Sequence, residues 1–252
     1  MSSRRLAASS VVVLAMAFLG LLLFAVIRDA PSKGGASRGS DTPVAQPTRY
    51  DYIEASVLGD SYSLGVDPGS ADVWARKLAS QLCWNLNLQG EPGTGYINSG
   101  TGAGTRRFAG RVVEVVKSDP DLLIVQGGNS DVGKADVQRQ AAHTLTELKT
   151  QAPDAQIVAV GPILAPGQSE AHVKQLRDAI RSGAAATGVP FIDPIDLRWI
   201  PDGSFYTADE LHLNREGNEL YAKGLRSALV NRGLMIRDAC KPNIDWEDAS
   251  DG

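Results

Sequence analysis

From residue 50 onward the chain alternates short apolar runs with longer stretches in which apolar residues recur every three or four positions. The runs at 53–58, 85–88, 122–125, 157–160 and 189–192 have the length of buried strands rather than of helices. Between them, 72–82, 107–117, 135–151, 169–187 and 215–231 carry helical spacing. Strands that alternate with helices predict a parallel sheet covered on both faces, because each parallel connection must cross over the sheet and brings a helix with it. Ligands of such sheets bind beyond the carboxyl ends of the strands. The polar residues that directly follow each apolar run therefore carry the most interest. Gly59-Asp60-Ser61 follows the first run, a glycine-rich stretch from Gly90 the second, and Gly127-Gly128-Asn129 the third.

The N-terminal pattern is different. Residues 6–27 contain no charge, and as a helix rising about 1.5 Å per residue they span about 33 Å, enough for a hydrocarbon core of about 30 Å. Arg4 and Arg5 form the basic flank of an export signal, whereas Arg28 interrupts the small-x-small pattern of a cleavage site after Ala30. The expectation is an uncleaved signal-anchor over 1–28; a buried helix of a soluble protein is the alternative. Arg28, Lys33 and Arg38 on the far side offset Arg4 and Arg5, so charge alone does not orient the segment. A single N-terminal anchor before a globular domain acts most simply as an export signal. That places the domain outside the cytoplasm, tethered to the membrane, or secreted if the segment is cleaved. Residues 29–49, rich in Ser, Gly and Pro, read as a flexible linker. A domain over 50–240 and a tail over 241–252 complete the expected organisation.

Composition narrows the function. With 43% hydrophobic and 21% charged residues the chain is an ordinary globular one. A formal charge of -4, with scattered basic residues, lacks the electrostatic footprint of a nucleic-acid binder. The only two cysteines, Cys83 and Cys240, belong to no CxxC pair or Cys/His cluster, so no zinc site is expected. In an exported domain they would form a disulfide joining the first helix region to the tail; in a reducing compartment they would be ordinary thiols.

A serine hydroxyl becomes a useful nucleophile when a base takes its proton and a third group orients that base. Of the three histidines, His143 and His172 fall in helical patterns, while His212 closes the loop Asp209-Glu210-Leu211-His212 ahead of the last helix. Residues three apart on a turn project to one side, so Asp209 can hold one ring nitrogen of His212 while the other faces a pocket. Ser61, at the end of the first strand, sits where a nucleophile belongs and offers its own backbone N–H. Acyl transfer also needs donors for the developing oxyanion, and Gly93 and Asn129 are candidates. Alone, each of these residues is ordinary: a loop glycine, a helix-capping Asn, a capping Asp beside a surface His.

Together, Gly59-Asp60-Ser61-Tyr62-Ser63, Gly90-Glu91-Pro92-Gly93, Gly127-Gly128-Asn129 and Asp209 with His212 resemble, in order, the four blocks of the SGNH (GDSL-type) hydrolases. The resemblance runs over about 52–229. His212-Leu213-Asn214 with Gly217 is similar to the family's segment after its histidine, and Trp74 stands where many relatives have an aromatic residue. It implies a flavodoxin-like three-layer α/β/α sandwich with a mainly parallel five-stranded sheet, here preceded by a transmembrane helix. It also implies hydrolysis of an acyl ester through an acyl-serine, with catalytic Ser61, Asp209 and His212 and no metal or organic cofactor. The oxyanion donors it assigns are the N–H groups of Ser61 and Gly93 and the side-chain amide of Asn129. The α/β-hydrolase fold shares the Ser, Asp, His order, but its GxSxG elbow is absent.

Two positions depart from the family pattern. Relatives usually carry Asp directly after the Asn of the third block, whereas this chain reads Asn129-Ser130-Asp131, which a one-residue shift would turn into Ser130 at the donor position. The second block is dense in glycine, so Gly95 or Gly102 could stand in for Gly93. The substrate is a small-molecule, lipid or glycan acyl ester. An acyltransferase using the same residues, or a tethered binding protein that retains the fold without turnover, are the competing functions.

Overall fold

The computed structural model describes residues 52–66 and 70–234. The expected anchor at 1–28, the linker at 29–49 and the tail at 241–252 lie outside the described residues. Among the described residues no helix is long and apolar enough to cross a membrane. Cys83 is not a free thiol, and Cys240, its expected partner, lies outside the described residues.

Five strands form one parallel sheet: β1 (Ile53–Gly59), β2 (Trp84–Gly90), β3 (Leu122–Gln126), β4 (Gln156–Val160) and β5 (Phe191–Ile192). Their spatial order is β2-β1-β3-β4-β5. The order reverses between β1 and β3, and the loops leaving those two strands diverge to opposite faces, opening the crevice where doubly wound sheets bind ligands. The helices are α1 (Ser61–Leu64), α2 (Trp74–Gln81), α3 (Val112–Val116), α4 (Val137–Gln151), α5 (Glu170–Thr187) and α6 (Arg215–Asn231).

Strand alternation divides the core in two. Ala55, Val57, Leu122 and Ile124 point to one face, where Trp74 and Leu78 of α2 meet Tyr221 and Leu225 of α6. Leu58, Leu123 and Val125 point to the other, against Val115 of α3, Leu145 of α4 and Ile180 of α5. Each such fully buried side chain contributes about 1.5–3 kcal/mol, so the two slabs fix the sheet and, with it, the strand ends that carry the loops. Trp74 is wholly buried and its ring lies 5.2 Å from that of Tyr221, which makes it a core residue.

Two expectations need correction. The strand expected at 189–192 pairs only at Phe191–Ile192, because Pro190 has no N–H to give to a ladder. The helix expected over 107–117 begins as a 3-10 turn, Phe108–Arg111, and becomes α-helical only at Val112. Arg111, the last residue of that turn, has φ -118° and ψ 9°, and its side chain is buried. After β1 the chain enters directly a single turn of helix, α1, capped by Asp60.

Candidate active site

The first block is built by β1 running directly into α1. Asp60 caps that helix by accepting the Tyr62 N–H at 2.9 Å, and its second oxygen accepts the Gly128 N–H at 3.0 Å from the loop after β3. One carboxylate thus fastens the residue before Asn129 to the residue before Ser61. Gly127 is required for this approach: its φ is +114°, and a side chain there would run into the Asp60 carboxylate. Burial pushes the Asp60 carboxyl up to about 6, although both N–H groups and the charge of Arg111 pull it down.

The loop before α6 brings the fourth block to Ser61. Asp209 accepts N–H groups from Leu211 and His212, each at 2.9 Å, and the Thr207 hydroxyl at 2.6 Å. Its other oxygen lies 2.7 Å from His212 Nδ1, and His212 Nε2 lies 2.9 Å from Ser61 Oγ. A carboxylate only accepts, so Nδ1 carries the proton there and the neutral ring leaves Nε2 free to take one from Ser61. The bonds from His212 and then Thr207 hold the Asp209 carboxyl well below the usual range. Tyr62 adds a clamp from the Ser61 side, its hydroxyl donating to the Leu211 carbonyl at 2.6 Å.

The other two blocks meet at the carboxyl ends of β2 and β3. Asn129 opens a 3-10 turn ending at Asp131, and Asp131 is buried with its carboxylate accepting the N–H groups of Tyr96, Ile97 and Asn98. Asn129 stays directly behind Gly128, and Asp131, two residues on, ties this turn to the loop that follows the second block. Burial raises the Asp131 carboxyl despite those three donors. Asn129 directs its amide Nδ2 to the Ile163 carbonyl at 2.7 Å and to Gln168 Oε1 at 3.1 Å, on the loop after β4.

Among the candidate glycines, Gly95 donates its N–H to Asn98 and is buried, and Gly102 is exposed. The N–H groups of Gly93 and Ser61 have no acceptor among the described residues. Gly93 has φ +70°, a left-handed conformation that glycine adopts without strain. His143 and His172 are exposed on α4 and α5, away from this arrangement.

Arg111 was not legible as part of the site. Its guanidinium is fully buried and donates to the carbonyls of Gly59, Gln89 and Arg106 and to the Thr94 hydroxyl. It thereby joins the end of β1, the end of β2 and the loop that carries Gly93. A planar fork of five donors suits this task where a lysine would not. In the sequence it is one basic residue in a helix-like stretch, with no local signal of its inward turn. Among the described residues no group of three or more His, Cys, Asp or Glu is arranged to hold a metal ion.

The space around Ser61 is uneven. The cavity that touches both Ser61 and His212 is shallow, about 10 Å³. A cleft of about 750 Å³ lies at the ends of β4 and β5, lined by Ile163, Leu164, Pro166, Gln168, Ile200 and Tyr206 among others. Asn129 contacts that cleft through Ile163 and Gln168.

A parallel α/β sheet with an aligned Asp, His and Ser at its carboxyl edge is the arrangement of a serine hydrolase. A family model described as GDSL-like lipase/acylhydrolase matches residues 57–220, and the chain belongs to that family. A GDSL lipase of Mycobacterium tuberculosis is 25% identical over 192 residues, covering 70% of this chain and 82% of that protein. The fold is similar to a lipase/acylhydrolase from Enterococcus faecalis, with a TM-score of 0.58 and 21% identity, over 74% of this chain and 100% of the other. It is also similar to a psychrotrophic esterase from Pseudoalteromonas sp., solved inhibited by monoethylphosphonate, with a TM-score of 0.55 and 17% identity, over 71% and 98% of the two chains.

Proposed function

We propose that the protein hydrolyses a carboxylic ester through a covalent acyl-serine at Ser61. His212 takes the Ser61 proton as the hydroxyl oxygen attacks the ester carbonyl, and returns it to the departing alkoxide. Water, deprotonated by His212, then attacks the acyl-serine carbonyl, releasing the acid and restoring the Ser61 hydroxyl. Asp209 keeps the ring in the tautomer that leaves Nε2 free and offsets the charge of the imidazolium formed at each step. The N–H groups of Ser61 and Gly93 and the Asn129 amide receive the oxyanion.

The observation that carries this reading is the unbroken line Asp209–His212–Ser61, with contacts of 2.7 and 2.9 Å. Support also comes from the unengaged N–H groups of Ser61 and Gly93 and from the matched family. Steady-state hydrolysis of p-nitrophenyl esters by Ser61→Ala and His212→Ala tests the mechanism. Each is expected to lower kcat by at least about 10⁴-fold, with the double variant little worse because the residues act as a unit. Near-normal turnover by Ser61→Ala, with contamination excluded, would reject it.

A further inference from the structure

Asn129 is fully committed as it stands. Its Nδ2 donates to the Ile163 carbonyl at 2.7 Å and to Gln168 Oε1 at 3.1 Å, while its Oδ1 accepts the Ile163 N–H at 3.4 Å. The orientation is unambiguous, because exchanging the amide oxygen and nitrogen would set oxygen against carbonyl and N–H against N–H. Gln168 is fixed in the same way: its Oε1 also accepts the Ala165 N–H at 3.3 Å, so its acceptor end is the one turned to Asn129. A primary amide has two N–H groups, and both are in use.

An Asn129 that serves the oxyanion must therefore release one acceptor, and the two differ in how easily they leave. The Ile163 carbonyl is backbone on a buried residue, held to Asn129 from both sides. Gln168 is a half-buried side chain that lines the cleft of about 750 Å³, and rotation about its side-chain bonds carries the carboxamide into that space. Its bond to Asn129 is also the longer of the two.

We propose that Gln168 is a displaceable stand-in for substrate. Its Oε1 occupies, on the Asn129 amide, the position that the ester oxygen takes when substrate binds. The inference rests on Asn129 as an oxyanion donor. Before binding, Gln168 holds the Asn129 rotamer and keeps its N–H satisfied. On binding, a neutral acceptor is exchanged for an oxygen that gains charge as the tetrahedral intermediate forms, so the exchange favours the transition state over the ground state. Gln168 is thus a positioning residue that competes with substrate, and its removal should strengthen binding.

Gln168→Met keeps the bulk and removes the acceptor; Gln168→Ala removes both. Each is expected to raise kcat/KM for p-nitrophenyl acetate by about 2- to 10-fold, the range of one neutral hydrogen bond, mainly through a lower KM. The gain should vanish when either variant is combined with Asn129→Ala. A fall in kcat/KM, no change, or an equal gain in the Asn129→Ala background would overturn the proposal. In a crystal structure of the Ser61 phosphonate adduct, Gln168 Oε1 should lie beyond roughly 3.5 Å from Asn129 Nδ2, outside hydrogen-bond range; a retained bond would contradict the exchange even if a variant failed to fold. Ser61-dependent hydrolysis with unaltered kinetics in the Gln168 variants would reject the stand-in alone. Hydrolysis independent of Ser61 would overturn both the stand-in and the mechanism beneath it.

Discussion

The loop that carries Asp209 and His212 and the frame behind Ser61 hold their reactive groups by opposite means. In the loop, the side chains of Asp209 and His212 are 46% and 20% exposed and are fixed mostly by bonds spanning only a few residues, the distant contacts being the Tyr62 clamp and the His212–Ser61 bond. In the frame, Asp60, Arg111 and Asp131 are buried charges whose partners come from three separate strand ends. Buried charges are costly to strip of a partner, whereas exposed ones are not. The loop should therefore be dispensable to folding and essential to turnover, and the frame should be necessary to both.

The sharpest way to break this contrast is to compare stability with activity at its two ends. Ser61→Ala and His212→Ala, each expected to abolish turnover, should shift the melting temperature by no more than about 2 °C, since surface changes without buried partners stay within about 0.5 kcal/mol. A large loss of stability in His212→Ala would show that the loop is part of the frame. Arg111→Met should do the reverse. Leaving the carbonyls of Gly59 and Gln89 and the Thr94 hydroxyl without a donor is expected to cost about 3–5 kcal/mol by urea denaturation. Unchanged stability would remove Arg111 from the account.

A smaller effect sharpens the description of the frame. Because burial lifts the Asp60 carboxyl from 3.8 to about 6, the folded state holds that proton more tightly than the unfolded chain. The stability this contributes is present below about pH 3.8 and is lost as pH rises through about 6. The melting temperature of the native protein, measured relative to Asp60→Asn, should accordingly fall between about pH 4 and pH 7. A difference that stays flat over that interval would show that Asp60 is already ionised in the folded protein, as in the unfolded chain, and that burial does not lift its carboxyl.

The same contrast explains what could be read from the sequence. Ser61, Asp209 and His212 were legible because their geometry is local: a strand end, and two residues three apart on one turn. Four of the five strands were legible as apolar runs, and the fifth was overestimated because Pro190 suits the edge of a sheet by hydropathy but cannot donate to it. Arg111, Asp131 and Gln168 each reach a partner 35 to 52 residues away along the chain, and for such contacts neither hydropathy nor spacing carries a signal. Ser130 shows the limit well. From the sequence it threatened the register of Asn129, whereas in the fold Asp131, the next residue, accepts the N–H groups of Tyr96, Ile97 and Asn98 beyond the second block.

The central claim is that Ser61 is activated by His212 and lies open to an electrophile, and covalent labelling with a fluorophosphonate tests it most directly. Intact-mass measurement should find one phosphonyl group per chain, mapped to Ser61 by peptide analysis, absent from Ser61→Ala and formed far more slowly in His212→Ala. Labelling of Ser61→Ala to the same extent and at the same rate as the native protein would contradict the account.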